Sequence, residues 1–295
     1  MQGGCTATHA DFGGEGQVSA GIRRLLGSMR WQLSQSVPSH TPMTQQPDFE
    51  RLIDNLLPAV RQAGDAIMEI HRTGFDADHK ADGSPVTQAD LLAEKMVLAA
   101  LKQHAPMIPV VSEENAASHH MAPPEQYFLV DPLDGTREFV RRDGKGAFTI
   151  NIALIEGGQP VAGIVHAPAH DACYWGIVGM GSSLNDEPIA ARSAPSDGPV
   201  ALVSRSHRDA QTESWLAENA IENTVSIGSS LKFCLMAKGE ADIYPRFGPT
   251  MEWDTAAGHA VLAAAGGSIE HPDGRPFTYG KPDYRNGPFI AHGKR

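Results

Sequence analysis

No run of apolar residues in the chain approaches the roughly 18 that a bilayer-spanning helix needs. Cysteine is scarce: the 295 residues hold three, Cys5, Cys173 and Cys234, none in a CxxC pair. That leaves neither a zinc site nor a disulfide framework and points to a reducing cytosol. Positive charge is in deficit, 24 Lys and Arg against 35 Asp and Glu, for a net charge of −11. A general surface for nucleic-acid polymers is therefore excluded. A small anionic substrate is not, provided metal ions or a local basic cluster receive it. The opening residues lack the charged and apolar regions of a signal peptide, and no internal repeat is present. What remains is ordinary globular composition, 41 % hydrophobic and 20 % charged, with enough length for two domains or one large one.

Residues 1–46 are rich in Gly, Ser, Thr and Gln and show no sustained period, so they read as a disordered leader. Met43 stands just ahead of the first periodic segment, and translation is expected to begin there or at Met29. Phe49, Leu52, Ile53, Leu56, Leu57, Val60, Ala63, Ile67 and Ile70 recur at three- and four-residue spacing, which predicts an amphipathic helix bent at Pro58. Residues 71–83 are turn-rich, and 91–104 are again helical. Residues 110–112, 148–155, 161–166 and 172–178 read as strands, the last three joined by short turns as in an antiparallel sheet. The Pro/Ser/Gly-rich stretch 193–199 reads as a boundary. Beyond it, strands near 200–203, 225 and 242–245 alternate with helices over 209–219, 228–238 and 253–265, as in an α/β layer. The expected organisation is a leader (1–46), an N-terminal α+β half (47–196) and a C-terminal α/β half (197–295).

The stretch from Tyr127 to Phe139 organises the rest. Tyr127 to Val130 form an apolar strand expected to end at Asp131. Two acids follow three residues apart, Asp131 and Asp134, with Pro132 stiffening the backbone between them and Gly135 permitting a tight turn. Thr136 stands where a helix can begin, and backbone N–H groups there can hold a phosphate oxygen. Such a strand end suits a metal-assisted phosphate reaction, although a polar turn with an aspartate cap has the same look. Other acids carry the same ambiguity. Thr87 and Asp90 fit a capping box, Glu113 and Glu114 fit a solvated turn, and Asp254 fits a helix N-cap. Arg137, Arg141, Arg142 and Lys145 make a local basic patch. Gathering Asp90, Glu113, Glu114, Asp131, Asp134 and Asp254 in one place requires cations, and oxygen-only donors favour Mg²⁺.

The set Pro85-Val-Thr-x-Ala-Asp90, Glu113-Glu114, Asp131-Pro-Leu-Asp-Gly-Thr136 and Trp253-Asp254-x-Ala-Ala257 resembles, in order and spacing, the inositol monophosphatase superfamily of Mg²⁺-dependent, often lithium-sensitive phosphatases. The resemblance runs from about residue 48 to the C-terminus. Within it, Val203-Ser-Arg-Ser-His207, Gly228-Ser-Ser-Leu-Lys-Phe-Cys234 and Tyr244-Pro-Arg-Phe-Gly-Pro249 look most like the 3′(2′),5′-bisphosphate nucleotidases of the CysQ type. The resemblance implies an α/β (α+β) sandwich of alternating helix and sheet layers, with the site between the N-terminal, metal-binding half and the C-terminal half. It implies two or three Mg²⁺ ions. Glu113, Asp131 and the Leu133 carbonyl would hold one; Asp131, Asp134 and Asp254 a second, with Asp131 bridging. Asp90, directly or through a third ion, would act with the Thr136 hydroxyl on the nucleophilic water, so that Asp90, Glu113 and Thr136 form the catalytic set. Gly135 and Thr136 N–H groups would take phosphate beside Glu113, Leu133, Asp134 and Asp254. His207, Ser229, Lys232 and Arg246 would contact the nucleotide. Each of these four also has a plainer reading, as turn residue, helix cap or solvated charge.

The activity so implied removes the 3′-phosphate of adenosine 3′,5′-bisphosphate, with the 2′,5′-bisphosphate and 3′-phosphoadenylyl sulfate as related substrates, in sulfur metabolism. An inositol or sugar monophosphatase is the alternative. It is disfavoured by Arg246, since inositol phosphatases resemble one another in carrying an acid there. A non-catalytic nucleotide-binding protein is a further alternative, disfavoured by the intact acid set. The expected location is cytoplasmic. Association with the cytoplasmic face of the inner membrane is left open by the resemblance and unsupported by the composition. The leader has too little apolar surface to offset its ordering entropy. A chain starting at Met43 is therefore expected to match the full chain in Tm and kcat/KM, which thermal unfolding and phosphate-release assays check directly.

Overall fold

Asp48 starts the first helix: its side chain accepts from the Arg51 N–H at 3.1 Å. From there α1 (Phe49–Thr73) runs through Pro58 to Gly74, where a φ of +106° ends it. The structure is a computed structural model and describes Met1 and residues 48–75, 77–79, 85–142, 146–206 and 208–295. The expected leader, residues 76 and 80–84 of the turn-rich stretch, Lys145 and His207 lie outside the described residues. Residues Gln45–Arg295 form one compact unit.

A short antiparallel pair, β1 (Ala77–His79) and β2 (Pro85–Thr87), precedes α2 (Gln88–His104). Then come β3 (Val110–Ser112), β4 (Gln126–Asp134), the short helix α3 (Thr136–Arg141), β5 (Thr149–Glu156), β6 (Gln159–Ala167), β7 (Ala172–Ile177), β8 (Gly181–Leu184) and β9 (Glu187–Ile189). These last seven strands form one sheet in the order β3-β4-β5-β6-β7-β8-β9, parallel at β3–β4 and antiparallel elsewhere. The antiparallel reading of residues 148–178 holds, and β8 and β9 extend it.

The C-terminal part alternates: β10 (Ala201–Ser204), α4 (Ala210–Glu218), β11 (Thr224–Ile227), α5 (Leu231–Ala237) and β12 (Ile243–Arg246). It continues with β13 (Thr250–Met251), α6 (Ala256–Ala264), β14 (Ser268–Glu270), β15 (Arg285–Asn286) and β16 (Phe289–His292). A five-stranded sheet has the order β11-β10-β12-β16-β14, and β13 pairs with β15 separately. Within the five-stranded sheet β10 is parallel to both β11 and β12, as the strand–helix alternation predicts, while β16 is antiparallel to its neighbours.

Side-chain alternation along β4 and β5 sets the layers. Phe128, Val130, Ile150, Ile152 and Leu154 pack with the apolar faces of α1 and α2. Tyr127, Leu129, Ala153 and Ile155 enter a second core with α5, α6 and the inner face of the five-stranded sheet, including Leu202, Tyr244 and Phe289. Ala201 and Val203 on the outer face meet Leu216 of α4. The order is helix, sheet, helix, sheet, helix, the layered sandwich that the resemblance implies.

Two local expectations are corrected. β4 does not end at Asp131: the ladder to β5 pairs Asp131 with Asn151, breaks at Pro132, which has no N–H to give, and resumes at Asp134 opposite Thr149. Asp254 is not the N-cap of α6. That helix starts at Ala256 after Thr255, and the Asp254 carboxylate turns back to accept from Met251 N–H at 2.8 Å.

Small residues let α6 lie close on the larger sheet. A Cβ at Gly163 in β6 would stand 2.6 Å from the Ala257 carbonyl oxygen and 2.9 Å from Ala260 Cβ. Replacing a strand glycine by alanine ordinarily stabilises, because glycine has more backbone entropy to lose. Here backbone blocks the space, so the sign reverses. Gly163→Ala is expected to lower stability by about 1–3 kcal/mol, the usual cost of overpacking, read as a lower denaturant midpoint.

Candidate metal centre and substrate cleft

The layer pattern carries Asp131 to a defined place. It shares a strand face with Tyr127 and Leu129, so it points toward α5 and α6 rather than toward α1 and α2. Glu113 arrives beside it because β3 and β4 are parallel; its N–H extends their ladder by donating to the Val130 carbonyl at 3.1 Å. Asp254 comes from the turn entering α6. Carboxylate oxygens of Glu113, Asp131 and Asp254 lie within 4.8 Å of one another. Like charges so close in a buried setting disfavour ionisation. Burial first, then Glu113, Asp134 and Asp254, push the Asp131 carboxyl well above its usual range. Burial, Asp134 and Glu113 do the same to Asp254.

Asp134 stands slightly apart and is held by hydrogen bonds. Its Oδ2 accepts from Ser230 N–H at 2.5 Å and, more loosely, from Thr149 and Asn151 at 3.4 Å. Burial raises its pKa while the Lys232 ammonium pulls the other way. Sequence reasoning did not single out Ser230, Thr149 or Asn151. Asn151 could have been noticed as a polar residue amid the apolar run of β5. Gly135, which follows Asp134, has φ +89°, and a Cβ there would meet the Ala147 carbonyl at 2.8 Å. The tight turn expected of it is present.

Asp90 and Thr136 come together across 46 positions. Thr87 gives Asp90 Oδ2 both its N–H and its hydroxyl at 2.7 Å, completing the capping box, while Asp90 Oδ1 faces Thr136 Oγ1 at 3.2 Å. The capping and convergence readings of Asp90 are therefore both satisfied. Burial raises its pKa. The Thr136 hydroxyl is also 3.1 Å from the Leu133 carbonyl. Glu114 lines the cleft nearby, and its charge acts on Asp90.

Glu113, Asp131, Leu133, Asp134, Thr136 and Asp254 line a cleft of about 1060 Å³, and Asp90 lies buried behind Thr136. Lys232, buried at 4 % exposure, donates to the Ser229 carbonyl at 2.6 Å and stands 5.0 Å over the Tyr244 ring. Burial brings its pKa down to about 8, against the opposing pull of Asp134. Arg246, also buried, donates to the Gly248 and Pro249 carbonyls at 3.1 and 3.0 Å. Ser229 lines the cleft and accepts from Leu231 N–H at 3.2 Å, as a residue before a helix does. His207 lies outside the described residues, so it is placed neither in the cleft nor away from it. Of the basic patch, Arg137 lines the cleft, Arg141 pairs at 4.0 Å with Glu138, and Arg142 bonds the His71 carbonyl. Sequence reasoning also missed His119, whose ring stacks 4.7 Å from Trp253 on the cleft wall.

The donor set fits a hard divalent cation. The cluster contributes oxygen alone, and Asp131 Oδ2 is buried without a hydrogen-bond partner among the described residues. An orphaned acceptor among repelling acids is the arrangement a bound cation resolves. Among the described residues no helix is long and apolar enough to cross a membrane.

Known proteins agree with this geometry. The 3′(2′),5′-bisphosphate nucleotidase CysQ of Shigella flexneri is 44 % identical over 236 residues, covering 77 % of this chain and 94 % of that protein. The crystal structure of CysQ from Bacteroides thetaiotaomicron, a bacterial member of the inositol monophosphatase family, superposes with a TM-score of 0.71 at 35 % identity, covering 85 % of this chain and all of that one. The Thermotoga maritima IMPase shares the fold with a TM-score of 0.70 at 24 % identity, over 82 % of this chain and 92 % of its own. The inositol monophosphatase family model matches residues 48–293. On sequence, fold and the buried acid cluster together, the chain belongs to the inositol monophosphatase family.

Proposed function

We propose that this protein is a phosphatase that hydrolyses the 3′-phosphate of adenosine 3′,5′-bisphosphate, and related 2′,5′-bisphosphate and 3′-phosphoadenylyl sulfate substrates, releasing phosphate. The carrying observation is that one cleft holds both the clustered carboxylates, with Asp131 fully buried, and two buried cations, Lys232 and Arg246. Acids of that kind call for metal at the cleaved phosphate, and the two cations beside them suit a second phosphate that is kept. The 44 % identity to a named bisphosphate nucleotidase supports the same choice.

Mg²⁺ bound here would supply a more acidic water and charge at the leaving oxygen. Glu113, Asp131, Asp134, Asp254 and the Leu133 carbonyl are the residues that would hold it. Asp90 and Thr136 orient the attacking water. Thr136 has one hydroxyl proton for two acceptors, Asp90 and Leu133, so giving the Leu133 carbonyl to a cation leaves that proton to Asp90. Burial strengthens Asp90 as a base, because it raises the proton affinity of the carboxylate. The water oxygen bonds to phosphorus as the P–O3′ bond breaks. N–H groups of Gly135 and Thr136 receive phosphate oxygens. Residues 47–196 supply the acids other than Asp254, and residues 197–295 supply the cations. Both described cysteines are free and buried, which suits a reducing cytoplasm.

Asp131→Asn should abolish turnover while keeping the fold. Without metal it should melt no lower than wild type, since one repelling charge is gone. Saturating Mg²⁺ should stabilise wild type by about 2.7 kcal/mol at a hundred times Kd, read as a higher Tm, and leave the variant unmoved. Phosphate release above roughly a tenth of wild type would contradict the metal-binding role.

Arg246→Ala addresses the substrate. A guanidinium grips a phosphate through charge-assisted bonds of about 1.5–3 kcal/mol, so its loss should raise KM for adenosine 3′,5′-bisphosphate about ten- to a hundredfold. 3′-AMP, lacking the 5′-phosphate, should suffer much less. Equal loss on both, or wild-type preference for inositol 1-phosphate, would overturn the nucleotidase reading.

A further inference from the structure

The proposed chemistry leaves unused a stretch of cleft wall near the C-terminus. Asp283 and Arg285 line the cleft from a loop over residues 280–286. This loop is fastened by buried groups on both sides of Arg285. Glu252, fully buried, accepts from Gly280 N–H at 2.8 Å and Lys281 N–H at 2.9 Å and pairs with the Lys281 ammonium at 2.9 Å. Buried Tyr284 donates its hydroxyl to the Met121 carbonyl at 2.9 Å. Buried Asn286 donates to the Met251 carbonyl and to Thr255 Oγ1, both at 2.9 Å, while β15 pairs with β13. Arg285 sits between these two anchors, directly across from Met251.

Its own side chain is exposed and makes no hydrogen bond or ion pair with any described residue. That sets it apart from Lys232, which gives one donor to a backbone carbonyl, and Arg246, which gives two and keeps the rest of its guanidinium for a ligand. The two arginines share one strip of wall. Arg246 holds the Gly248 and Pro249 carbonyls, the chain continues through Thr250 and Met251, and β15 lies against that pair. Pro249, Thr250 and Met251 all line the cleft. Arg246 stands at the buried end, close enough for its charge to act on Asp254; Arg285 stands at the exposed end. Both guanidinium-bearing residues thus line the same cleft, one buried and one exposed.

We propose that Arg285 is a specificity-determining residue that binds the outer anionic group of an extended 5′ substituent, the sulfate of a 5′-phosphosulfate, beyond the phosphate taken by Arg246. This rests on the bisphosphate nucleotidase reading and refines its substrate class. The guanidinium presents a planar fork of donors that matches a tetrahedral oxyanion, which a lysine ammonium does not. The anchored backbone fixes where the side chain starts, so binding has only its rotamers left to order.

The test is steady-state kinetics of the full chain with Mg²⁺, comparing wild type, Arg285→Ala and Arg285→Lys on three substrates that differ only at the 5′ position. These are 3′-phosphoadenylyl sulfate, adenosine 3′,5′-bisphosphate and 3′-AMP. Arg285→Ala should raise KM for the phosphosulfate about tenfold, the low end for a charge-assisted bond because the site is exposed. The bisphosphate should be affected several-fold less and 3′-AMP least, with kcat held throughout. Arg285→Lys should recover part of the loss, and the wild-type advantage should shrink as salt approaches about 1 M, where charges are screened within about 3 Å. An equal rise on all three substrates, a fall in kcat without a rise in KM, or no change on the phosphosulfate would each overturn the proposal. If wild type cleaves the three nucleotides and Arg285→Ala behaves like it, this proposal alone fails. If wild type cleaves inositol 1-phosphate and none of the nucleotides, the nucleotidase reading fails and takes this proposal with it.

Discussion

Three carboxylates within 4.8 Å of one another repel, and the fold has to hold them there. No single element does so. Glu113 and Asp131 are fixed by the parallel ladder of β3 and β4, and Asp254 by the turn into α6. What keeps Asp254 from retreating is the close seating of α6 on the larger sheet, where Gly163 and Gly176 leave no room for a side chain. The repulsion is therefore opposed by the packing of two cores, and a helix cannot shift to relieve it without opening apolar surface. A cation removes the conflict at its source, which is why metal binding and fold stability are expected to be linked in this protein.

Hydrogen bonding divides the acids into two kinds. Asp90 and Asp134 are surrounded by donors from Thr87, Thr136, Ser230, Thr149 and Asn151, so their orientation is set before any ligand arrives. Asp131 keeps one buried oxygen without a partner among the described residues. A carboxylate with donors around it is held in one orientation, and an oxygen without a partner is open to a ligand. The two aspartates of one strand end thus differ in how far their orientation is set beforehand, and the difference lies in their neighbours.

Long periodic segments were legible in the sequence. The apolar spacing of α1 and the runs of β5, β6 and β7 could be read because each buries a full face and repeats its pattern several times. The capping box at Thr87 and Asp90 was legible too, and here the local signal and the distant one coincide, since the capped acid is also the one that meets Thr136. The end of β4 was not, because a Pro and two acids look locally like a stop and only the partner strand shows the ladder resuming. Asp254 failed for the same reason: a polar residue before a small-residue helix reads as a cap, while its actual partner lies three residues back. Strands of two or three residues, such as β13 and β15, carry no period at all. They exist because Asn286 and Tyr284 are tied to segments far away in sequence.

The acids and the cations of the cleft stand on separate supports. Asp131, Glu113 and Asp134 belong to the seven-stranded sheet and its loops, whereas Lys232 opens α5, Arg246 ends a strand of the five-stranded sheet, and Arg285 lies on the small β13–β15 pair. Substitutions on the second group can change how much negative charge the cleft accepts, and where, without moving the buried carboxylates by way of their own strands. The coupling that remains is electrostatic in part, Lys232 acting on Asp134 and Arg246 on Asp254, and in part runs through hydrogen bonds, since Ser230 N–H beside α5 holds Asp134 and Met251 N–H, opposite Arg285, holds Asp254. Buried charges feel each other strongly and exposed ones weakly. On the proposed reading Arg285, exposed at the mouth, adjusts substrate preference with less electrostatic effect on the carboxylates than buried Lys232 and Arg246 do.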